Sequence, residues 1–171
     1  MRSLILLSLL ALFITPKAQA GFLIDPYVGT GTAKTSFDLA GQSDDDDSLS
    51  TYGARLGYSI LLFSAGIDYA KGTFGDVDFT NTSVFVGVDL PILLRAWAEY
   101  FVNSDIDNDK LGSADFKMKD GTSIGLGFTG LPFVSLNLEV QNINYEMEYG
   151  ASKSDVQTAA YIFSVSLPLD F

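Results

Sequence analysis

Residues 51–72, TYGARLGYSILLFSAGIDYAKG, decide the fold. Two runs in which apolar residues alternate with small or polar ones meet at Leu61-Leu62. Period two is the mark of strands with two unlike faces. A tight turn at Leu61-Leu62 sets Leu56 opposite Ile67 and Ala54 opposite Tyr69 on one face, with Arg55 opposite Asp68 on the other. Opposite charges directly across a ladder stabilise their register. A slip of one residue would turn every one of these side chains to the other face.

The same construction repeats further along the chain. A turn centred on Ile92 pairs Val88 with Ala96, Val86 with Ala98 and Val84 with Tyr100, and on the opposite face Asp89 with Arg95. A turn centred on Leu131 pairs Phe128 with Val134, Leu126 with Leu136 and Ile124 with Leu138. Its other face carries Gly125, Gly127, Ser135, Asn137 and Glu139. Past Gly21 no stretch has helical periodicity, and eight alternating segments emerge: about 22–33, 51–60, 63–72, 81–90, 94–103, 121–130, 133–145 and 157–171. Each matches the roughly 9–11 residues with which a tilted strand crosses a bilayer, or slightly exceeds it. Three connections are tight; four, at 34–50, 73–80, 104–120 and 146–156, are longer and polar. This alternation predicts an all-β, eight-stranded antiparallel up-and-down transmembrane barrel, with short periplasmic turns, longer extracellular loops and both termini periplasmic.

A soluble barrel would bury the apolar face, whereas a membrane barrel turns it to lipid. The polar face here is rich in small residues such as Gly53, Gly57, Ser59, Ser64, Gly66, Gly87, Ser164 and Ser166, and poor in the lysines and glutamates of a wet surface. A narrow barrel needs such residues inside, because side chains fill its lumen. The apolar face also places Tyr52, Tyr69, Tyr100 and Tyr161 towards the loops, and Tyr58, Phe63, Phe128 and Phe171 towards the turns. Those are the positions of two interfacial aromatic girdles.

The first twenty residues read as an export signal: Arg2, an apolar run from Leu4 to Ile14, Pro16, and then Ala18-Gln19-Ala20 with small residues at Ala18 and Ala20 for cleavage. The run is too short for a membrane-spanning helix, which needs roughly 20 apolar residues. Residues 21–171 are then the barrel domain. Losing Arg2 and Lys17 takes the basic residues from 10 to 8 against 21 acidic ones, a net charge of −13. That balance argues against nucleic acid as a partner. Cysteine and histidine are both missing from the chain, which excludes disulfides, Ser-His-Asp and Cys-His nucleophile systems and histidine metal sites.

The last strand alternates Tyr161, Phe163, Val165, Leu167, Leu169 and Phe171 with smaller or polar residues and stops on phenylalanine. It resembles the C-terminal insertion signal of bacterial outer-membrane proteins. Pro26-Tyr27-Val28-Gly29-Thr30-Gly31 is similar to the first strand of the small eight-stranded family typified by the OmpA membrane domain and OmpX. The resemblance implies a place among outer-membrane lipid and insertion by the barrel-assembly machinery. Pro168 departs from it, since proline removes a ladder donor, and so do Leu169, where an aromatic is usual, and the apolar turns at Leu61-Leu62 and Ile92-Leu93.

Arg55, Asp68, Asp89, Arg95, Glu99 and Glu139 are the inward charges, expected as polar pairs that plug the lumen, because an unpaired buried charge is costly. Phe85 and Trp97 point inward with them, the Trp97 ring lying over Gly87. Asp44 to Asp47, and Asp105, Asp107 and Asp109, form acidic loops. The second set opens like an EF-hand but has Lys110 and Phe116 where glycine and glutamate belong, so solvated loops with at most weak divalent-cation contact are expected, and neither a metal site nor a cofactor. Glu146 and Glu148 share a strand face without a nucleophile or convergent site, and no catalytic residue is assigned. The expectation is a non-enzymatic structural and surface protein of the outer membrane. A narrow ion or small-solute pore is one alternative, and a soluble periplasmic barrel with an apolar ligand inside is another.

Overall fold

The structure, a computed structural model, describes residues 20–37, 45–107, 115–149 and 152–171. Strands β1 (Gly21–Phe37), β2 (Asp45–Ile60), β3 (Phe63–Phe74), β4 (Val77–Leu90), β5 (Leu94–Ile106), β6 (Asp115–Phe128), β7 (Ser135–Tyr149) and β8 (Ser152–Ser166) pair antiparallel in chain order. β1 pairs with both β2 and β8, so the sheet closes on itself. A two-residue β9 (Leu169–Asp170) also lies on β1. It continues the β8 register past Pro168, and the ladder runs on to Phe171, whose N–H donates to Phe22 O at 3.0 Å.

Pro168 is tolerated for a geometric reason. Odd-numbered residues of this last strand aim their N–H at β1, as Leu167 does at Pro26 O (2.9 Å). Even-numbered ones aim at β7, whose ladder with β8 starts only at Ser135 opposite Ser166. At 168 there is no β7 acceptor to miss a donor.

The first two hairpin registers follow the sequence reading, with Arg55 opposite Asp68 and Asp89 opposite Arg95. The third differs by two residues: Phe128 faces Leu136, Leu126 faces Leu138 and Gly125 faces Glu139. Pro132 and the left-handed Phe133 (φ 65°) keep the chain out of the ladder until Ser135. The expected start of that strand at 133 was therefore too early. A shift of two preserves each residue's face, so the sidedness survives.

The strands outrun expectation at the loop end. Residues expected in loops, 45–50 among them, belong to ladders, and Asp45, Asp46 and Asp47 stand opposite Thr35, Lys34 and Ala33. The expected run from Asp44 is therefore largely the start of β2; Asp44 itself and Asp109 lie outside the described residues.

What the faces carry changes along the strands. Near the turns the outward side chains are apolar and exposed (Leu56, Tyr58, Val86, Ile124, Leu126, Leu138, Val165), while the interior holds charged and small residues. Near the loops the pattern reverses. Leu49, Ala33, Ala160 and Ile162 cluster inside, as do Phe101, Ile143, Tyr145 and Val156. The outward positions there are Ser48, Ser50, Lys71, Asp78, Asp105, Asn142 and Gln157, all exposed. The lumen is thus not polar throughout, as the sequence reading had it. One wall follows two rules, membrane-like below and soluble-like above, because the outer face meets a different medium at each level.

On β2 the apolar outer band runs from Tyr52 to Ile60, roughly 20–21 Å in height for a strand tilted by about 40°. This falls short of the band of about 25 Å that crosses a membrane, and the apolar turns extend it. Leu61 and Ile92 are exposed there, and Leu61 (φ 58°) and Leu93 (φ 62°) are left-handed. Leu61→Val keeps the apolar contact but puts a β-branched residue at positive φ, so it is expected to lose about 1–2 kcal/mol. Leu61→Gly is expected to stay near neutral. Urea unfolding midpoints in lipid vesicles check both.

Candidate functional site

The centre of the lumen is closed by an ion-pair cluster built on Arg55, midway along β2. Its Nε lies 3.1 Å from Glu99 Oε1 and 3.2 Å from Asp68 Oδ2. Its Nη2 donates to Glu139 Oε2 at 3.1 Å, and its Nη1 is 3.4 Å from Asp25 Oδ2. Asp25, Asp68, Glu99 and Glu139 come from β1, β3, β5 and β7, so one guanidinium ties the wall together on all sides. The period-two alternation puts these side chains inward at nearly the same height. All are buried, Arg55 at 2% exposure and Asp25 at 0%.

Neighbouring groups satisfy the remaining oxygens of Asp68, Glu99 and Glu139. Ser83 Oγ donates to Glu99 Oε2 (3.0 Å), Ser123 Oγ to Glu139 Oε1 (2.7 Å) and the Gln141 amide to Glu139 Oε1 (2.8 Å). The Tyr27 hydroxyl donates to Asp68 at 3.0 Å. The Arg55 guanidinium carbon sits 4.3 Å from the Trp97 ring centre and 4.9 Å from that of Tyr27, between two π faces. Cation–π contact strengthens where water is excluded. A charge cluster in a lumen holds only when paired and hydrogen-bonded in this way.

Arg95 occupies the level below. It stands opposite Asp89 in the ladder, yet its Nη2 reaches across the lumen to Asp25 Oδ2 at 2.6 Å and to Ser166 Oγ at 3.1 Å. Asp89 itself is exposed at the turn end and does not belong to the buried cluster where the sequence reading put it. The Trp97 ring also differs from expectation. It covers Gly125 on β6, where an added Cβ would fall on the indole, and not Gly87, where a Cβ would lie 3.6 Å from Trp97 Cβ. Each residue has two ladder neighbours, and the indole took the other one.

Sequence reasoning missed Asp25 and Tyr27. The three tight hairpins give β2 to β7 testable registers, but β1 joins its neighbours only through a long connection and the closing seam. Once β1 is in register, Asp25 falls directly opposite Arg55.

Below the cluster a cavity of about 450 Å³ opens towards the turns. Asp25 Oδ1, Arg95 Nε, Trp97 Nε1 and Ser135 Oγ have no protein partner, and all four residues line it. Such groups suit a hydrated vestibule that ends at the cluster. Neither Asp105 nor Glu146 joins a convergent acidic site: Asp105 accepts from the Asn103 amide (2.6 Å) and Glu146 pairs with Lys153 (2.7 Å). Of the last-strand residues, Tyr161, Phe163, Val165, Leu167, Leu169 and Phe171 all face outward and exposed. Ala20 is exposed, and Ala18 lies outside the described residues.

A closed antiparallel sheet of eight long strands with an apolar outer band recurs among solved structures. A de novo designed transmembrane β-barrel is 12% identical, covering 88% of this chain and 98% of that one, with a TM-score of 0.55. The fold is that of an eight-stranded outer-membrane barrel. Neisserial surface protein A is 17% identical over 87% of this chain and 98% of that one, with a TM-score of 0.51. The outer membrane protein AlkL, solved in lipid bilayers, is 11% identical over 90% and 92%, with a TM-score of 0.53. At such identities the likeness is one of fold. No family model matches the chain, and no curated protein does.

Proposed function

We propose that this chain is a non-enzymatic barrel of the bacterial outer membrane, a structural and surface component whose lumen is sealed and whose acidic loop end faces the medium. The observation that carries the reading is Arg55 held by four carboxylates from four strands. A narrow pore would need a continuous aqueous path at this height, and charged and aromatic side chains occupy it. The apolar outer band and its flanking aromatics support insertion in lipid, with both termini on the periplasmic side with the short turns. The outward alternation of the last strand supports delivery through the barrel-assembly machinery. The acidic rim supports weak contact with divalent cations at the surface and disfavours nucleic acid.

Two measurements test this. Outer-membrane fractions run in SDS with and without boiling are expected to show two bands, since a closed barrel resists SDS until heated. Protein found in the soluble periplasm with no band shift would sink the reading. In planar bilayers the purified barrel is expected to give no steady conductance, and stable unitary steps would favour the pore.

A further inference from the structure

Above the Arg55 cluster the barrel holds a second cavity, of about 360 Å³, at the loop end. Leu49, Phe79, Ile106, Phe116, Ile143 and Val156 are among its walls. Ile106 and Phe116 stand where β5 and β6 have ceased to pair, their shared ladder ending at Tyr100 opposite Thr122. Small-molecule pockets have this character, about 300–1,000 Å³, mostly apolar, with a few placed polar groups. The bore of an eight-stranded barrel admits one small ligand and no folded partner.

The polar groups on this wall are specific. Ser104 Oγ donates to Asn81 Oδ1 at 2.6 Å and lies 2.7 Å from the Tyr145 hydroxyl. Ser104 has a single hydroxyl proton, already given to Asn81, so Tyr145 must donate to Ser104. That leaves the Tyr145 oxygen able to accept and the Asn81 amide able to donate, and both residues line the cavity. A hydroxyl group carries both the donor that the Tyr145 oxygen can accept from and the acceptor that the Asn81 amide can donate to. Asp47 and Asp76 line the same cavity, and the chain carries a net charge of −11, which disfavours an anionic head.

We infer that this cup is a binding site for a small uncharged molecule with an apolar body and one hydroxyl group. The ligand is held and not passed on, because Gln141 lines the cup and its amide is tied to Glu139 in the sealing cluster. This goes beyond a structural wall and gives the loop end a ligand of its own.

Benzyl alcohol and toluene, titrated calorimetrically into the full barrel in lipid nanodiscs with empty discs as the blank, test the inference. Saturable binding of benzyl alcohol near one per barrel is expected. Tyr145→Phe is expected to weaken it about 3–10-fold while leaving toluene unchanged. Ala160→Phe, which fills the cup, is expected to abolish both, each variant having first been shown to keep its heat-dependent band shift. Heats equal to those of empty discs, binding undiminished in Ala160→Phe, or an alcohol affinity indifferent to Tyr145→Phe would each overturn the inference. So would binding that appears only when residues 108–114 are removed, since the chain itself would then be the occupant.

Discussion

Arg55→Met is expected to be the most damaging single substitution in the barrel, lowering stability by about 3–5 kcal/mol. Arg55 touches four buried carboxylates at 3.1 to 3.4 Å, and without it Arg95 is left to answer them, in contact with Asp25 alone. Methionine keeps the volume between the Tyr27 and Trp97 rings but offers no charge. The loss therefore comes from uncompensated carboxylates rather than from a cavity. Arg55→Lys is expected to fall between, since an ammonium keeps the charge but cannot serve the carboxylates of four strands at once through a planar fork. Urea midpoints in vesicles read the order wild type, Lys, Met. A Met variant with a wild-type midpoint would mean that the cluster contributes no stability, and the seal would have to be sought elsewhere. A partial rescue by Glu99→Gln in the Met background is expected, because it removes one of the stranded charges.

The second large effect lies one level away. Gly125→Val is expected to displace the Trp97 ring and cost about 1–3 kcal/mol, since an added Cβ falls on the indole and the ring must leave its place against Arg55 to make room. Gly87→Ala is expected to be milder, because the nearest atom there is the rotatable Ser64 hydroxyl at 2.6 Å. Trp97 is the single tryptophan of the chain, so its fluorescence reports the site directly. A red shift in Gly125→Val, with emission near wild type in Gly87→Ala, is the expected pattern. In a Trp97→Ala background the Gly125→Val penalty is expected to shrink, and additivity of the two would show that ring and glycine do not meet. A penalty at Gly87 as large as that at Gly125 would place the indole over the wrong neighbour.

Both sites were partly legible from residues alone. Arg55, Asp68, Glu99 and Glu139 share the inward face of strands whose hairpins fix one another, so strict alternation brings them to one lumen. Asp25 was not legible, because its strand meets its neighbours across a long connection and across the barrel seam, where no turn sets the register. The seat of Trp97 was equally hidden. A sequence names the residue opposite in a hairpin, but a side chain leans to whichever ladder neighbour leaves room, and Gly87 and Gly125 both lack a side chain.

The inversion at the loop end was written in β7 and still overlooked. Leu136, Leu138 and Val140 face out and Asn137, Glu139 and Gln141 face in; two residues later Asn142 and Asn144 face out while Ile143 and Tyr145 face in. Reading each strand as one apolar and one polar face averages over that reversal.

What the sequence by itself determined is local and periodic: strands rather than helices, two of the three tight turns, and which residues look inward. These follow from side chains alternating along an extended backbone, a property of each segment alone. What only the tertiary structure decided is which inward groups meet. Arg95 reaches across the lumen to Asp25, the indole covers Gly125, and an apolar cup sits above a charged seal. These depend on the register and closure of all eight strands at once, through which residues far apart in the chain come within hydrogen-bonding distance across the lumen.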